Sequence, residues 1–443
     1  MIDKTETIVY PNGEMQRIEV ISGFSWDSIH ETQAVFSPKA FSAMARLMRE
    51  HVIPKSPDSY GILVLFHVPD NLPLPFPLGD IVERQARVAD LFRSSVKKGL
   101  MVKEGKTLSL VDPSLTSFCS SLQEAGYWDV EAGNADRIDF MPISSALGFA
   151  STLPSTVCNA SFFLMDLSDG DSPYDVYGTP VGMVVEKGII LRPPLFHRAG
   201  IGPEGIIHPE LSGLSVCLDG KEYRLGKDVP FYERPEWWIT PKQKGFDVVI
   251  IGREIVAVTE GGGCRVPMAG FILHCKEKPA GKSVVYHGSE DHLSFAVQVG
   301  PCVMENGKLL VTLQDPYCNV TLPSPVPVPF PPTRYPLDGS TTRAARLALG
   351  RNKKGKPVIV WIEGASKNGY QRGKESAGAT LVEMAEIAEH LGLVDMVNLD
   401  GGGSAQLVTD GKRKLLIADR WKETNKEAER PVPSLLQLRS LLV

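Results

Sequence analysis

The sequence predicts an α+β protein: mixed β-sheets with packed helices over residues 136–443, preceded by a smaller α/β N-terminal domain over residues 1–135. Three observations carry this reading. Helix starts and apolar runs of strand length alternate before about residue 135. From about Asp139 the chain turns to short strands cut by Gly, Asn and Pro. Near the C-terminus a strand, a capped helix and a second strand follow one another. With 41 glycines and 34 prolines in 443 residues, turns are abundant, which argues against a pure helical bundle.

In the N-terminal part, Ser37-Pro38 spells a helix start, with Ser37 as N-cap and proline at the first helical position. Tyr60–Val68 is an apolar run of strand length. Gly79-Asp80 opens an amphipathic helix with Ile81, Val88, Leu91, Phe92 and Val96 on one stripe. Leu108–Val111 reads as a strand and Leu115–Ala125 as a helix. No grouping of chemical side chains marks this region, and it receives no role.

Beyond it, Gly178–Leu191 spells a hairpin turning at Glu186-Lys187-Gly188, and Phe246–Ile251 pairs with Ile255–Thr259 around Gly252-Arg253-Glu254. Phe295–Val299 and Leu309–Leu313 are further strands. The stretch 322–336 alternates proline with apolar residues and is excluded from a sheet interior, so it is an extended loop or rigid spacer. Lys356–Ile362 is a buried strand. Thr380–Leu391 is a helix capped by Thr380 with Glu383 at the capping-box position and stopped by Gly392; Val394–Leu399 is the strand that follows.

The net charge of -5, with no long basic run, gives no electrostatic case for nucleic acid or an anionic membrane. No stretch reaches the roughly 18 apolar residues of a membrane helix, and Met1-Ile-Asp-Lys-Thr-Glu lacks the basic start of a signal peptide. A cytoplasmic location is the expectation. Seven cysteines without a CxxC pair are read as free buried thiols. Nothing in the sequence sets an oligomeric state.

The sharpest chemical signal is Asn398-Leu-Asp400-Gly-Gly-Gly-Ser404, directly after a strand. Three successive glycines suit positive φ or close backbone approach, and their N–H groups can form an anion nest between a carboxylate and a hydroxyl. On residue types alone, a plain glycine turn with Asp400 as turn former is an equal reading. A P-loop is excluded because no Lys-Ser/Thr follows the glycines.

The string Val397-Asn-Leu-Asp-Gly-Gly-Gly-Ser404 resembles the signature of the phosphodiester glycosidase family. Other blocks agree in order: Cys158-Asn159-Ala-Ser-Phe162-Phe163, Pro180-Val-Gly182, Gly300-Pro301 with Gly307-Lys308, Ala345-Arg346-Leu-Ala-Leu-Gly350, Ser376–Ala385 and Glu429-Arg430-Pro. The resemblance runs from about Asp139 to the C-terminus. It implies a hydrolase that cleaves the glycosidic C–O bond of a sugar-1-phosphodiester, of the N-acetylglucosamine-1-phosphodiester kind, to release free sugar. The expected partner is thus a small-molecule or glycan sugar phosphate, with neither nucleic acid nor membrane. Ala160 and Ser161 stand where the family pattern has glycines, and Leu347 where it has threonine. These departures keep open the alternative of a catalytically inactive glycan- or sugar-phosphate-binding module on the same fold.

On that resemblance, Asp400 is the candidate catalytic carboxylate, with Glu363 as the second. Arg346 is the candidate phosphate ligand, since a guanidinium fork matches phosphate oxygens. Asn159, Asn398 and Ser404 would orient sugar hydroxyls or water, and Gly402 and Gly403 would supply N–H groups. Glu383 reads as a helix cap first. A third class, a phosphodiesterase cutting P–O, would want two metals held by His and Asp clusters, which the sequence does not spell.

The histidines match no metal motif: His287 and His292 read as solvated loop residues, His197 and His208 as isolated. Trp237-Trp238 is equally a sugar-stacking platform or core. Asp166, Asp169, Asp171 and Asp175 offer oxygens to a divalent cation such as Ca²⁺, but their spacing is not that of an EF-hand. A solvated acidic loop is the simpler reading there, and no cofactor is assigned.

Overall fold

In a computed structural model of the 443-residue chain, the described residues are 2–9, 15–33, 52–53, 101–104, 107–110, 156–164, 172–176, 178–234, 236–237, 239–310, 343–364, 374–421, 427–430 and 432–438. The helices read at Ser37, Gly79 and Leu115, the run Tyr60–Val68 and the loop 322–336 lie outside them.

A seven-stranded sheet forms the frame, in the order Ile2–Val9, Met15–Ser22, Pro357–Ile362, Arg346–Asn352, Leu393–Asn398, Cys302–Glu305 and Lys308–Leu309. Every ladder in it is antiparallel. A four-stranded sheet follows the order Leu407–Thr409, Thr156–Asn159, Ser434–Leu438, Ile29–Gln33. Residues 2–33, grouped by sequence with the N-terminal part, contribute strands to both sheets. A five-stranded sheet runs Ile189–Arg192, Val184–Glu186, Phe295–Gln298, Gly200–Gly202, Gly205–Ile207. The chain between its strands builds a second four-stranded sheet, containing Phe231–Glu233, Gly270–Cys275, Phe246–Ile251 and Glu254–Glu260.

The architecture is therefore mostly β, and this corrects the expectation of packed helices: among the described residues the one α-helix is Leu381–His390. The reason lies in the sequence texture after Asp139, where turns every few residues leave no room for a helical period. At Glu186–Ile189, Lys187 (φ 50°) and Gly188 (φ 75°) both take positive φ, matching a tight hairpin turn.

The helix forms for the reasons its sequence states. The Thr380 Oγ1 accepts from the Glu383 N–H at 3.2 Å, and the Thr380 N–H donates to Glu383 Oε2 at 2.9 Å. Gly392, at φ 67°, ends it. Leu381, Met384 and Ile387 lie on one face and bury against Val303, Ala348, Val360 and Met396 of the large sheet. Each such side chain contributes about 1.5–3 kcal/mol relative to exposure.

Pro357–Ile362 is buried at every position, as a strand covered on both faces requires. It runs parallel to Leu393–Asn398, because both pair antiparallel with the intervening Arg346–Asn352. A core of Trp361, Phe295, Val397, Leu399, Leu407 and Leu436 joins the large sheet to the four-stranded sheet of residues 156–159 and 434–438. No described helix is long and apolar enough to cross a membrane. Cys158, Cys217, Cys264, Cys275 and Cys302 are free, and all but Cys217 are buried.

Candidate active site

Strand Leu393–Asn398 is in the middle of the large sheet, so the Leu399–Ser404 loop leaves its carboxyl end. Two backbone bonds aim it. The Leu399 N–H donates to Leu347 O at 2.7 Å, and the Asp400 N–H donates to Ala160 O at 3.0 Å, reaching the neighbouring sheet. The Gly402 N–H donates to Ala345 O at 2.8 Å, and Gly402 takes φ 60°. The loop therefore lies folded over Ala345-Arg346 at the start of its neighbouring strand.

Close approach explains the glycines. A Cβ on Gly401 would lie 2.9 Å from Ala345 O and 3.7 Å from Arg346 Cδ. A Cβ on Gly403 would lie 2.1 Å from Asp419 Oδ2 and 2.4 Å from Arg430 Nη2. Neither position admits a side chain without displacing something behind it.

Asp400 is partly exposed, and burial pushes its carboxyl up to about 6. A hydrogen bond from Ser404, the Arg430 charge and the Gly401 N–H pull the other way and lose to desolvation. Arg346 is 5% exposed, and its Nε donates to Ala379 O at 2.9 Å. Burial lowers its guanidinium to about 10, so it remains a cation at neutral pH. It packs beneath Gly401 and does not face bulk solvent.

Asn159 is buried and wholly engaged with backbone. Its Nδ2 donates to Asp400 O at 2.7 Å and its Oδ1 accepts from the Gln406 N–H at 2.9 Å. Ser404 is buried, with its hydroxyl 3.4 Å from Arg430 Nη1. Asn398 is 3% exposed, and its Oδ1 has no hydrogen-bond partner among the described residues. It is thus a buried acceptor beside the cup.

Glu363 ends the Pro357–Ile362 strand, next to the residue that pairs with Arg346. Its Oε1 accepts from Arg17 at 3.1 Å and its Oε2 from the Leu416 N–H at 2.9 Å. Glu383 is the helix cap, as read, and also pairs with Arg343.

Three residues at the cup had no role in the sequence reading: Asp419, Arg430 and Gln406. Arg430 donates through Nε and Nη2 to Asp419 Oδ2, each at 3.0 Å, while Gln406 Nε2 donates to Arg430 O at 2.7 Å. The block Glu429-Arg430-Pro carried a signal for Arg430. Nothing around Asp419 did, since a lone Asp between Ala418 and Arg420 has no pattern.

Elsewhere, His197 is not isolated as expected: it contacts Glu236 at 2.5 Å and lies beside Glu210 and Glu233. His287 and His292 are more than half exposed, as read. Trp237 meets Tyr232 edge-on at 4.8 Å, and Trp238 lies outside the described residues. In the acidic stretch, Asp175 captures the N–H groups of Met268 and Ser172 at 2.8 and 3.2 Å; Asp166, Asp169 and Asp171 lie outside the described residues.

Residues 257–439 match the family described as phosphodiester glycosidase. The chain is 31% identical over 93 residues to N-acetylglucosamine-1-phosphodiester alpha-N-acetylglucosaminidase from Bos taurus, and 31% identical over 93 residues to its Homo sapiens counterpart. Each match covers 21% of this chain and 16% of the relative. A solved hypothetical protein from Synechocystis aligns over 98% of this chain and 61% of its own at 14% identity, with a TM-score of 0.43. The zebrafish N-acetylglucosamine-1-phosphodiester alpha-N-acetylglucosaminidase catalytic domain aligns over 99% of this chain and 82% of its own at 12% identity, with a TM-score of 0.35. The segment 257–439, which holds the glycine loop, is thus similar to the phosphodiester glycosidase family.

Proposed function

We propose that this chain hydrolyses the glycosidic C–O bond of a sugar-1-phosphodiester, releasing the free sugar and a phosphomonoester. The observation that carries the proposal is the glycine loop itself. It holds Asp400, raised to about 6, beside Ser404 and Arg430, while the adjacent Gly401 packs on the buried cation Arg346.

The parts have complementary work. Arg346 neutralises phosphate and makes it a better leaving group. Asp400, a carboxylate for most of its population above pH 6, supports the oxocarbenium-like anomeric carbon or takes a proton from the attacking water. The Asn398 Oδ1 accepts a sugar hydroxyl, which gives that buried acceptor the partner it lacks. Asn159 and Glu363 act as positioning residues, since their polar atoms already hold the loop and the neighbouring segments.

The test is hydrolysis of a panel of N-acetylglucosamine-1-phosphodiesters in ¹⁸O-labelled water, read by mass spectrometry, with Asp400→Asn as control. Label in the free sugar, absent with the variant, is the expected result. Label in the phosphate would make the protein a phosphodiesterase instead. Binding without turnover would favour the inactive sugar-phosphate-binding module.

A further inference from the structure

Apart from the cup, one cluster of ligating side chains stands out. His197 belongs to the loop between the strands Ile189–Arg192 and Gly200–Gly202, while Glu233 ends the strand Phe231–Glu233 and Glu236 follows it. One ring nitrogen and one oxygen from each carboxylate lie within 4.8 Å of one another. His197 Nε2 is 2.5 Å from Glu236 Oε1, and His197 Nδ1 is 3.7 Å from Glu210 Oε1.

Two features suit this cluster to a cation. Glu233 is 5% exposed, a buried carboxylate grouped with the His197 ring. The Glu236 Oε2 is buried with no hydrogen-bond partner among the described residues. Two carboxylates and an imidazole are packed this closely, with Glu210 at the rim, and the Glu236 Oε2 is left unsatisfied among them. Buried charges in proteins are paired or coordinate metals. A histidine nitrogen with carboxylate oxygens is a donor set suited to a first-row divalent cation. Glu210 is 42% exposed, so the cluster is open to solvent on that side.

We propose that His197, Glu233 and Glu236 form a binding site for a divalent transition-metal cation such as Zn²⁺, with Glu210 as a further oxygen donor from the rim. The site is separate from the glycine cup in its residues but adjoins it through the chain. Arg198, next to His197, packs against Gly300, and the Asn398 N–H donates to Pro301 O at 3.0 Å. A bound cation would fix the 196–198 loop beside the Gly300-Pro301 segment, whose Pro301 carbonyl accepts from the Asn398 N–H.

The experiment is titration of the full chain with Zn²⁺ by isothermal calorimetry after chelator treatment, alongside thermal unfolding with and without Zn²⁺. The expected result is saturable binding of one Zn²⁺ per chain and a raised Tm. His197→Ala and Glu236→Gln should each weaken binding about tenfold or more. Glu236 is part-exposed, so its variant should fold. Absence of saturable binding in the parent chain would overturn the proposal. So would equal Zn²⁺ affinity and an equal Tm increase in a folded Glu236→Gln protein. None of these readouts depends on sugar-phosphate hydrolysis.

Discussion

Arg430 grips Asp419 directly behind Gly403, donating from Nε and Nη2 to the same carboxylate oxygen at 3.0 Å each. Asp419 is 2% exposed and Arg430 23%, so this is a half-buried pair, and the third guanidinium nitrogen reaches Ser404. The pair stands so close that a methyl group on Gly403 would overlap it. Gly403→Ala should therefore drive the two apart. Separating them leaves the buried Asp419 carboxylate without this partner, which costs about 1–3 kcal/mol. Thermal unfolding should show a Tm several degrees lower, with hydrolysis falling alongside it. An unchanged Tm would mean that the pair is not held against the loop.

Asp400 couples stability to chemistry through pH. Its folded value, about 6, exceeds its ordinary value of 3.8, so the folded chain binds the proton more tightly than the unfolded one. That contribution to stability is fully present below pH 3.8 and is lost as pH rises through about 6. At pH 8 the ionised, desolvated carboxylate is a liability. Asp400→Asn should relieve it, raising stability by about 1–3 kcal/mol at pH 8 and by little at pH 4. The same variant should abolish turnover, and the parent's kcat should fall as pH drops below about 6. Denaturant unfolding at the two pH values, beside a pH–rate profile, checks both halves.

Arg346 tests geometry against charge. Lysine preserves the cation but loses the planar fork and the Nε bond to Ala379 O. Arg346→Lys should raise KM for a sugar-1-phosphodiester by about tenfold or more. The Tm should fall only modestly. Steady-state kinetics on the phosphodiester, compared with an uncharged aryl glycoside of the same sugar, separates phosphate recognition from a general loss. An equal KM increase on both substrates would count against a phosphate role.

What the sequence disclosed follows from how local each signal was. The capping box of Thr380 and Glu383, the stop at Gly392 and the hairpin at Lys187-Gly188 depend on neighbours within a few positions, and the structure keeps all of them. The glycine loop was legible for the same reason. The association of residues 2–33 with strands more than 300 positions away was not, because antiparallel pairing leaves no trace in either strand alone. Asp419 escaped notice since its importance comes from standing behind Gly403, a fact of packing. His197 looked isolated because Glu233 and Glu236 lie almost forty positions further on.

Asn159 decides between two roles that sequence alone left together. A sugar ligand would present free polar atoms to the cup, whereas this side chain is buried and bonds the backbone of Asp400 and of Gln406. Its removal should therefore act on the fold first. Asn159→Ala leaves a buried carbonyl and a buried N–H without these partners, at about 1–3 kcal/mol each. The Tm should fall, and kcat should fall with it as Asp400 loses its anchor, while KM changes less. Asn159→Asp keeps the acceptor for Gln406 but points an oxygen at the Asp400 carbonyl, so it should be no better than alanine for kcat. A sugar-binding role would give the opposite pattern: a raised KM, a steady Tm, and partial recovery with aspartate as a hydroxyl acceptor.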